Sequence, residues 1–288
     1  MTKLTFSTTG CWNMADGFGC ASLGLPGCCN NEQNVVLAYE EKLKGTVLTG
    51  SYEEILMGAK KIVNNKTVYA AIVVFGNAGG ENAFLAQLQQ IVSCPMVGGG
   101  AAIDSKSGRA GQIPGDGPAA VFLITDDRYD YFTETKCIHN HVLEECILTC
   151  SDHRTILTIN GVDAGEYLRS KKEALGIPVT DFEHLTLSDL RNVNAHLSCV
   201  DGVIKSGRDV HEKMLLRYVR HEDVYEAMHS FYDDPDAIVF GCAGLSGLLD
   251  KPLDTTSLGL FLFGEVCTVD GVAEFGNLML SKLLIRKK

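Results

Sequence analysis

Glu265 stands where a charge is hardest to keep. It lies in the run GLFLFGEVCTVDG (residues 259–271), with Phe263 and Gly264 before it and Val266 after it. A carboxylate in so apolar a strand must find a partner, either a ligand or an ion pair within the core. Cys242, near the end of AIVFGCAG (residues 237–244), is the second candidate. A thiol at a strand tip, with a base drawn from His196, His211 or His229, would make a nucleophile and its activator. Nothing in the sequence pairs these residues. There is no GxSxG elbow, no P-loop and no GxGxxG at a strand–helix junction, and GNAGGE (residues 76–81) has the wrong spacing for a dinucleotide loop.

Glycine turns supply the other candidates. Gly76, Asn77 and Gly79 precede a helix expected to start near Glu81, and backbone N–H groups at such a start favour anionic ligand groups. Gly98, Gly99 and Gly100 would let a ligand approach the main chain closely. Their other reading is tight turns and close strand packing. With Cys242, Gly264 and Glu265 at the matching place in the second half, these residues outline a ligand cleft. The N-terminal stretch 8–34 is rich in Cys and Gly and carries the single tryptophan, Trp12, next to Asn13. It reads as a lid over that cleft, with a metal or cluster at its cysteines (Cys11, Cys20, Cys28, Cys29) as the alternative.

A third constellation is CIHNHVLEECILTCSDH (residues 137–153). If extended, it puts Cys137, His139 and His141 on one face, as metal binding requires. The spacing fits no standard zinc motif, and cytosolic cysteines are commonly small buried hydrophobes. No cofactor is therefore predicted, and a metal at these residues stays an alternative.

The elements that must hold these residues form a repeat. AIVVFGNAG (residues 71–79) and AIVFGCAG are apolar runs ending in small-residue turns, which read as buried strands. Each is followed by a glycine-broken apolar run (residues 94–104 and 257–271). Each then has a third strand-like run, GPAAVFLIT (residues 117–125) and EFGNLMLSKLLI (residues 274–285). Helical spacing is read over residues 34–44, 51–64, 81–92, 162–175 and 221–231, with Ser51 and Glu54 fitting a capping box. Strands are read over residues 128–135 and 154–159, and the Cys/His-rich stretch between them reads as a connection. The expected fold is α/β in the α+β sense: two pseudo-repeated halves, with mixed sheets covered by helices in a layered sandwich.

Composition narrows the function classes. A chain of 288 residues can bury a large core, and its 45% apolar content is that of an ordinary globular protein. A formal charge of −11 argues against nucleic acid or an anionic membrane as partner. No run reaches membrane-spanning length, no signal-peptide pattern is read, and eleven cysteines point to reduced thiols in a cytoplasm. The phenylalanine-rich GLFLFG is read as core, with a homo-oligomer interface left open.

In their order along the chain, these runs resemble the FIST family, a ligand-sensing module of two consecutive regions found in many bacterial signalling proteins. The first region is carried by VYAAIVVFGNAGGEN (residues 68–82), CPMVGGGAA (residues 94–102) and GPAAVFLIT. The second is carried by ILTINGVDAGEYL (residues 156–168), DAIVFGCAG (residues 236–244) and GLFLFGEVCTVDG. The resemblance implies a FIST N-terminal-like region at residues 1–160 and a C-terminal-like region at 161–288. It also implies a cytoplasmic sensory role in signal transduction, with amino acids or related metabolites as ligands. No kinase, cyclase or chemotaxis output module is read, so the protein is expected to work alone or with a separate signalling output protein. Family members often place an arginine after the cysteine-containing strand, where this chain has Gly244, Leu245 and Ser246.

Overall fold

The computed structural model describes residues 1–8, 18–22, 36–39, 42–76, 79–101 and 113–288, and these form three sheets. Thr5–Thr8 (β1), Ala21–Ser22 (β2) and Val36–Ala38 (β3) form a small sheet in the order β2-β1-β3. Gly45–Gly50 (β4), Ala70–Phe75 (β5), Met96–Gly100 (β6), Ala119–Ile124 (β7) and Tyr129–Cys137 (β8) enter the largest sheet. The chain then leaves it for an eight-stranded sheet. This contains His141–Cys150 (β9), Thr155–Ile159 (β10), Val162–Asp163 (β11), Leu185–Ser188 (β12), Asn194–Ala195 (β13), Leu197–Val200 (β14), Val203–Ser206 (β15) and Lys213–Tyr218 (β16). It returns to the largest sheet with Ala237–Cys242 (β17), Leu258–Val269 (β18), Val272–Gly276 (β19) and Met279–Lys287 (β20). The helices are Tyr52–Val63 (α1), Glu81–Val92 (α2), Ala164–Leu175 (α3), His221–Tyr232 (α4) and the short Ala243–Ser246 (α5).

The nine-stranded sheet has the order β4-β7-β5-β6-β18-β17-β20-β8, with β19 attached to β18, and it reads alike from either edge. β5 lies parallel to β6 and antiparallel to β7; β17 lies parallel to β18 and antiparallel to β20. The two parallel pairs meet antiparallel at the β6–β18 seam. The duplicated runs thus hold equivalent places about a pseudo-twofold axis. α1 before β5 matches α4 before β17, whereas α2 has only the single turn of α5 as its counterpart.

Both repeat strands are buried along their whole length, as strands covered on two faces must be. Ile72 and Val74 point to one side, with Ile238 and Phe240, against Leu4, Phe6 and Phe18 of the N-terminal segment. Ala71, Val73 and Phe75 point to the other side, against Phe84, Leu85 and Leu88 of α2. Val239 faces Phe231 and Tyr232 of α4, where Gly241 leaves the space that the Tyr232 hydroxyl fills. Within GLFLFG, Leu260, Phe261 and Leu262 are buried.

Ser51 caps α1 as the sequence predicts, accepting from the Glu54 amide while Glu54 accepts from the Ser51 amide. Two expectations need correction. The helix read over residues 34–44 is not formed at Val36–Ala38, which pair antiparallel with β1 instead. A short apolar run suits a pleated strand as well as a helix, and the open edge of β1 decides between them. The Cys/His-rich connection is the ten-residue strand β9, paired with β10 and β16.

Candidate functional site

The tips of the repeated strands converge at the seam. Phe75 and Gly100 end β5 and β6 as register partners, Gly100 faces Phe263 across the seam, and Cys242 ends β17 beside Leu262. Strand direction reverses here, and such points leave a crevice beyond the strand ends. A cavity of about 360 Å³ occupies it, lined by these tips and by loops of the eight-stranded sheet.

A bulge shapes its wall. The β6–β18 register shifts between Phe263 and Glu265, and Gly264 takes φ +77°, the left-handed conformation that bulges use. A Cβ at Gly264 would lie 2.4 Å from the Phe275 ring, so the residue also gives that ring its seat. Phe275 meets Phe75 edge-on at 5.5 Å between centroids, and Phe263 remains exposed at the cavity. α2 supports this wall from outside: the Asn82 and Gln89 side chains accept from the Phe275 and Ala273 amides at 2.7 and 2.8 Å.

The polar lining comes from distant parts of the chain. Asn277 is 8% exposed, and its Oδ1 has no hydrogen-bond partner. Its backbone is fixed from both sides. The Asn277 amide donates to Asn194 O at 3.0 Å, and Asn194 Nδ2 donates to Leu278 O at 3.1 Å. Leu278 itself holds φ +52°, uncommon without glycine. Arg154 reaches Asp209 at 2.8 Å and Glu81 at 3.8 Å. His196 lies 3.7 Å from Glu183, and that imidazole holds the Glu183 carboxyl below its usual range. The cavity thus offers aromatic faces, two carboxylates, one guanidinium and an unfilled amide.

Cys242 and Glu265 form a buried pair at its base. Burial raises the Glu265 carboxyl well above its ordinary value, against the opposing pull of the Met279 N–H, which donates to Oε2 at 3.2 Å, and of Cys242. No cation among the described residues pairs with Glu265; its partner is a proton. Burial, and then Glu265, pushes the Cys242 thiol up as well. A carboxyl whose folded pKa is raised contributes in full below its ordinary value of 4.5 and loses that contribution as pH climbs toward the folded one. Glu265→Gln keeps the shape without the acid. Its stability relative to the native chain should therefore grow by about 1.4 kcal/mol per pH unit above that value, until the folded pKa is passed. Urea denaturation of both proteins across neutral pH measures this, and parallel pH profiles would refute it.

Of the residues singled out in the sequence, Glu81, Gly100, Cys242 and Gly264 line the cavity, and Glu265 lies beneath it. Gly98 and Gly99 are spent on packing, since a Cβ there would meet Val73 O at 1.8 Å and Gly264 O at 2.2 Å. Gly76 donates to Pro118 O, and Gly79 donates to Glu81 Oε1. Asn77, Trp12, Asn13, Cys11, Cys28 and Cys29 lie outside the described residues, as does most of the stretch read as a lid; Cys20 is described and is buried in the core.

The metal alternative at residues 137–141 is not assembled. His139 is buried, donates from Nε2 to Glu183 O at 2.7 Å, and is driven down to about 4 by burial, so it is a neutral core histidine. Cys137 contacts the Asn194 amide, and His141 stacks on Tyr218 beside Asp223. Among the described residues no three His, Cys, Asp or Glu side chains gather as metal ligands.

Arg154, Glu183, Phe275 and Asn277 escaped the sequence reading, whereas His196 was named there as a possible base for Cys242 and lines the same cavity. Asn277, a lone amide between the apolar pieces of EFGNLML, is the one that carried a local signal. A broader recess of about 620 Å³ beside α2 is a weaker candidate. Its Gln89 and Thr268 side chains are already engaged, with Gly271 and Ala273 and with both polar groups of the Met96 backbone. No protein-family model matches this chain, and no curated protein matches it either.

Proposed function

We propose that this chain is a small-molecule-binding sensory protein acting in signal transduction, with its ligand held in the cavity at the seam between the repeats. One observation carries the reading: a concave, aromatic-walled cavity with a buried amide oxygen left unfilled, placed where the strands reverse direction. An amino acid or related metabolite as ligand follows from the resemblance to FIST modules, as does a separate output partner. Arg154 reaches the cavity from before β10, but its guanidinium is engaged by Asp209 and faces Glu81, so it does not replace the arginine that the stretch after β17 lacks. The eight described cysteines are all free thiols, which supports a reducing cytoplasm. Among the described residues no helix is long and apolar enough to cross a membrane.

Mass spectrometry of small molecules released from natively purified protein tests the reading, together with melting in an amino-acid panel. A true ligand at a hundredfold excess over its Kd adds about 2.7 kcal/mol of stability. Phe275→Ala, which removes one wall, should abolish that gain. If nothing co-purifies and no panel member raises the melting temperature, the sensor reading fails.

A second reading, a thiol enzyme, is favoured by one fact: Cys242, His196 and Glu183 line the same cavity. It requires an activated thiolate, whereas burial and Glu265 keep Cys242 protonated. Iodoacetamide at neutral pH should therefore label the exposed Cys199 and spare Cys242 in the native protein. Labelling of Cys242 at least as fast as Cys199 would favour the enzyme instead.

A further inference from the structure

We infer that the cavity selects a compact organic cation, an ammonium group on an apolar or aromatic body. The inference rests on reading the cavity as a ligand site, and it goes further by naming the group that is recognised. What the lining leaves open is an acceptor. Asn277 Oδ1 is buried without a partner, so the folded chain carries an acceptor whose hydrogen bond something else must complete. Glu183 brings a second acceptor to the cavity, on a side chain that is 35% exposed. Its Oε2 accepts from the Phe182 amide at 3.1 Å, while Oε1 has only His196 at 3.7 Å, a charge contact beyond hydrogen-bond reach.

The balance of charge points the same way. Glu81 and Glu183 bring two carboxylates to the lining. The guanidinium of Arg154 is already held at 2.8 Å by Asp209, a carboxylate outside the lining, and it faces Glu81 at 3.8 Å. An incoming anion would compete with these two carboxylates for Arg154 and would meet the unpaired Asn277 oxygen with repulsion. An ammonium has three donors and no acceptor, which suits both open oxygens. Phe75, Phe263 and Phe275 present the ring surfaces that favour a cation and cover its apolar body. An amino acid meets these demands through its ammonium, whereas an amine-free metabolite does not.

Calorimetric titration of the full chain with phenethylamine and with hydrocinnamate separates the possibilities, because the two probes share a body and differ in the sign of the head group. Phenethylamine should bind at least about tenfold more tightly than hydrocinnamate. Glu183→Gln should cost the amine about tenfold or more and leave hydrocinnamate unchanged or improved. Asn277→Leu should weaken the amine similarly, while the free protein melts no lower than the native chain, since an unfilled buried acceptor has been removed. Equal or tighter binding of hydrocinnamate would overturn the cation inference and leave the cavity standing as a ligand site. Amine affinity untouched by both substitutions would likewise overturn it. Binding of neither probe, with nothing released from the purified protein, would bring down the ligand site and this inference together.

Discussion

Gly98→Val is expected to leave the chain without its native fold. Gly98 sits at the centre of the nine-stranded sheet with φ +135°, and a Cβ there would lie 1.8 Å from Val73 O. The obstacle is the main chain of β5, to which β6 is hydrogen-bonded, so no rotamer can relieve it. On the other side β6 is joined to β18, and sliding it away would break the seam between the repeats. Backbone strain and steric overlap together should cost more than about 4 kcal/mol, against a typical domain stability of about 5–15 kcal/mol. Far-UV circular dichroism and thermal melting of Gly98→Val check this. A cooperative transition within a few degrees of the native one would show that strand spacing here is soft.

Removing Arg208 should be nearly as damaging, for an electrostatic reason. Its guanidinium is 4% exposed and lies 3.5 Å from Asp189 and 3.5 Å from Glu274, while donating to Val193 O. Asp189 and Arg208 belong to the eight-stranded sheet region and Glu274 to β19, so this network ties the two large sheets together beside the cavity. Arg191 adds a second cation to Glu274, while only its backbone N–H reaches the Asp189 carboxylate, at 2.9 Å. Arg208→Leu leaves two largely buried carboxylates short of their shared cation, a change that costs about 3–5 kcal/mol. Glu274→Gln in the same background should recover part of the loss, because one stranded charge disappears. Urea denaturation of the single and double variants measures both effects. A loss below about 1 kcal/mol for Arg208→Leu would mean that water already screens the network.

The repeated half-sheets were legible because their strands are buried on both faces and end in glycine. That combination leaves near-continuous apolar runs with sharp ends, as in residues 71–79 and 237–244. The cap at Ser51 and the α2 stripe of Phe84, Leu85 and Leu88 were readable for similarly local reasons. The eight-stranded sheet was not. Its strands are short or mixed, and in β9 the Cys and His residues drew attention as ligands while burial alternates steadily only from Glu145 onward. The cavity divides along the same line. Gly100, Cys242 and Gly264 come from the repeat and could be named from it. Arg154, Glu183 and His196 arrive on loops whose neighbours in space are far away in sequence, and no periodicity marks them. Glu265 was singled out as a charge in the wrong place; among the described residues no cation answers it, and burial raises its carboxyl well above the ordinary value.

The single seam has a consequence for occupancy. Two repeats related by an axis often invite the assumption of two equivalent receptors, one in each. Here the strand tips of both point into one space beside the axis, and the loops that roof it are not duplicated. The ligand site proposed at the seam therefore predicts one molecule per chain, simple hyperbolic saturation, and homotropic effects only between chains.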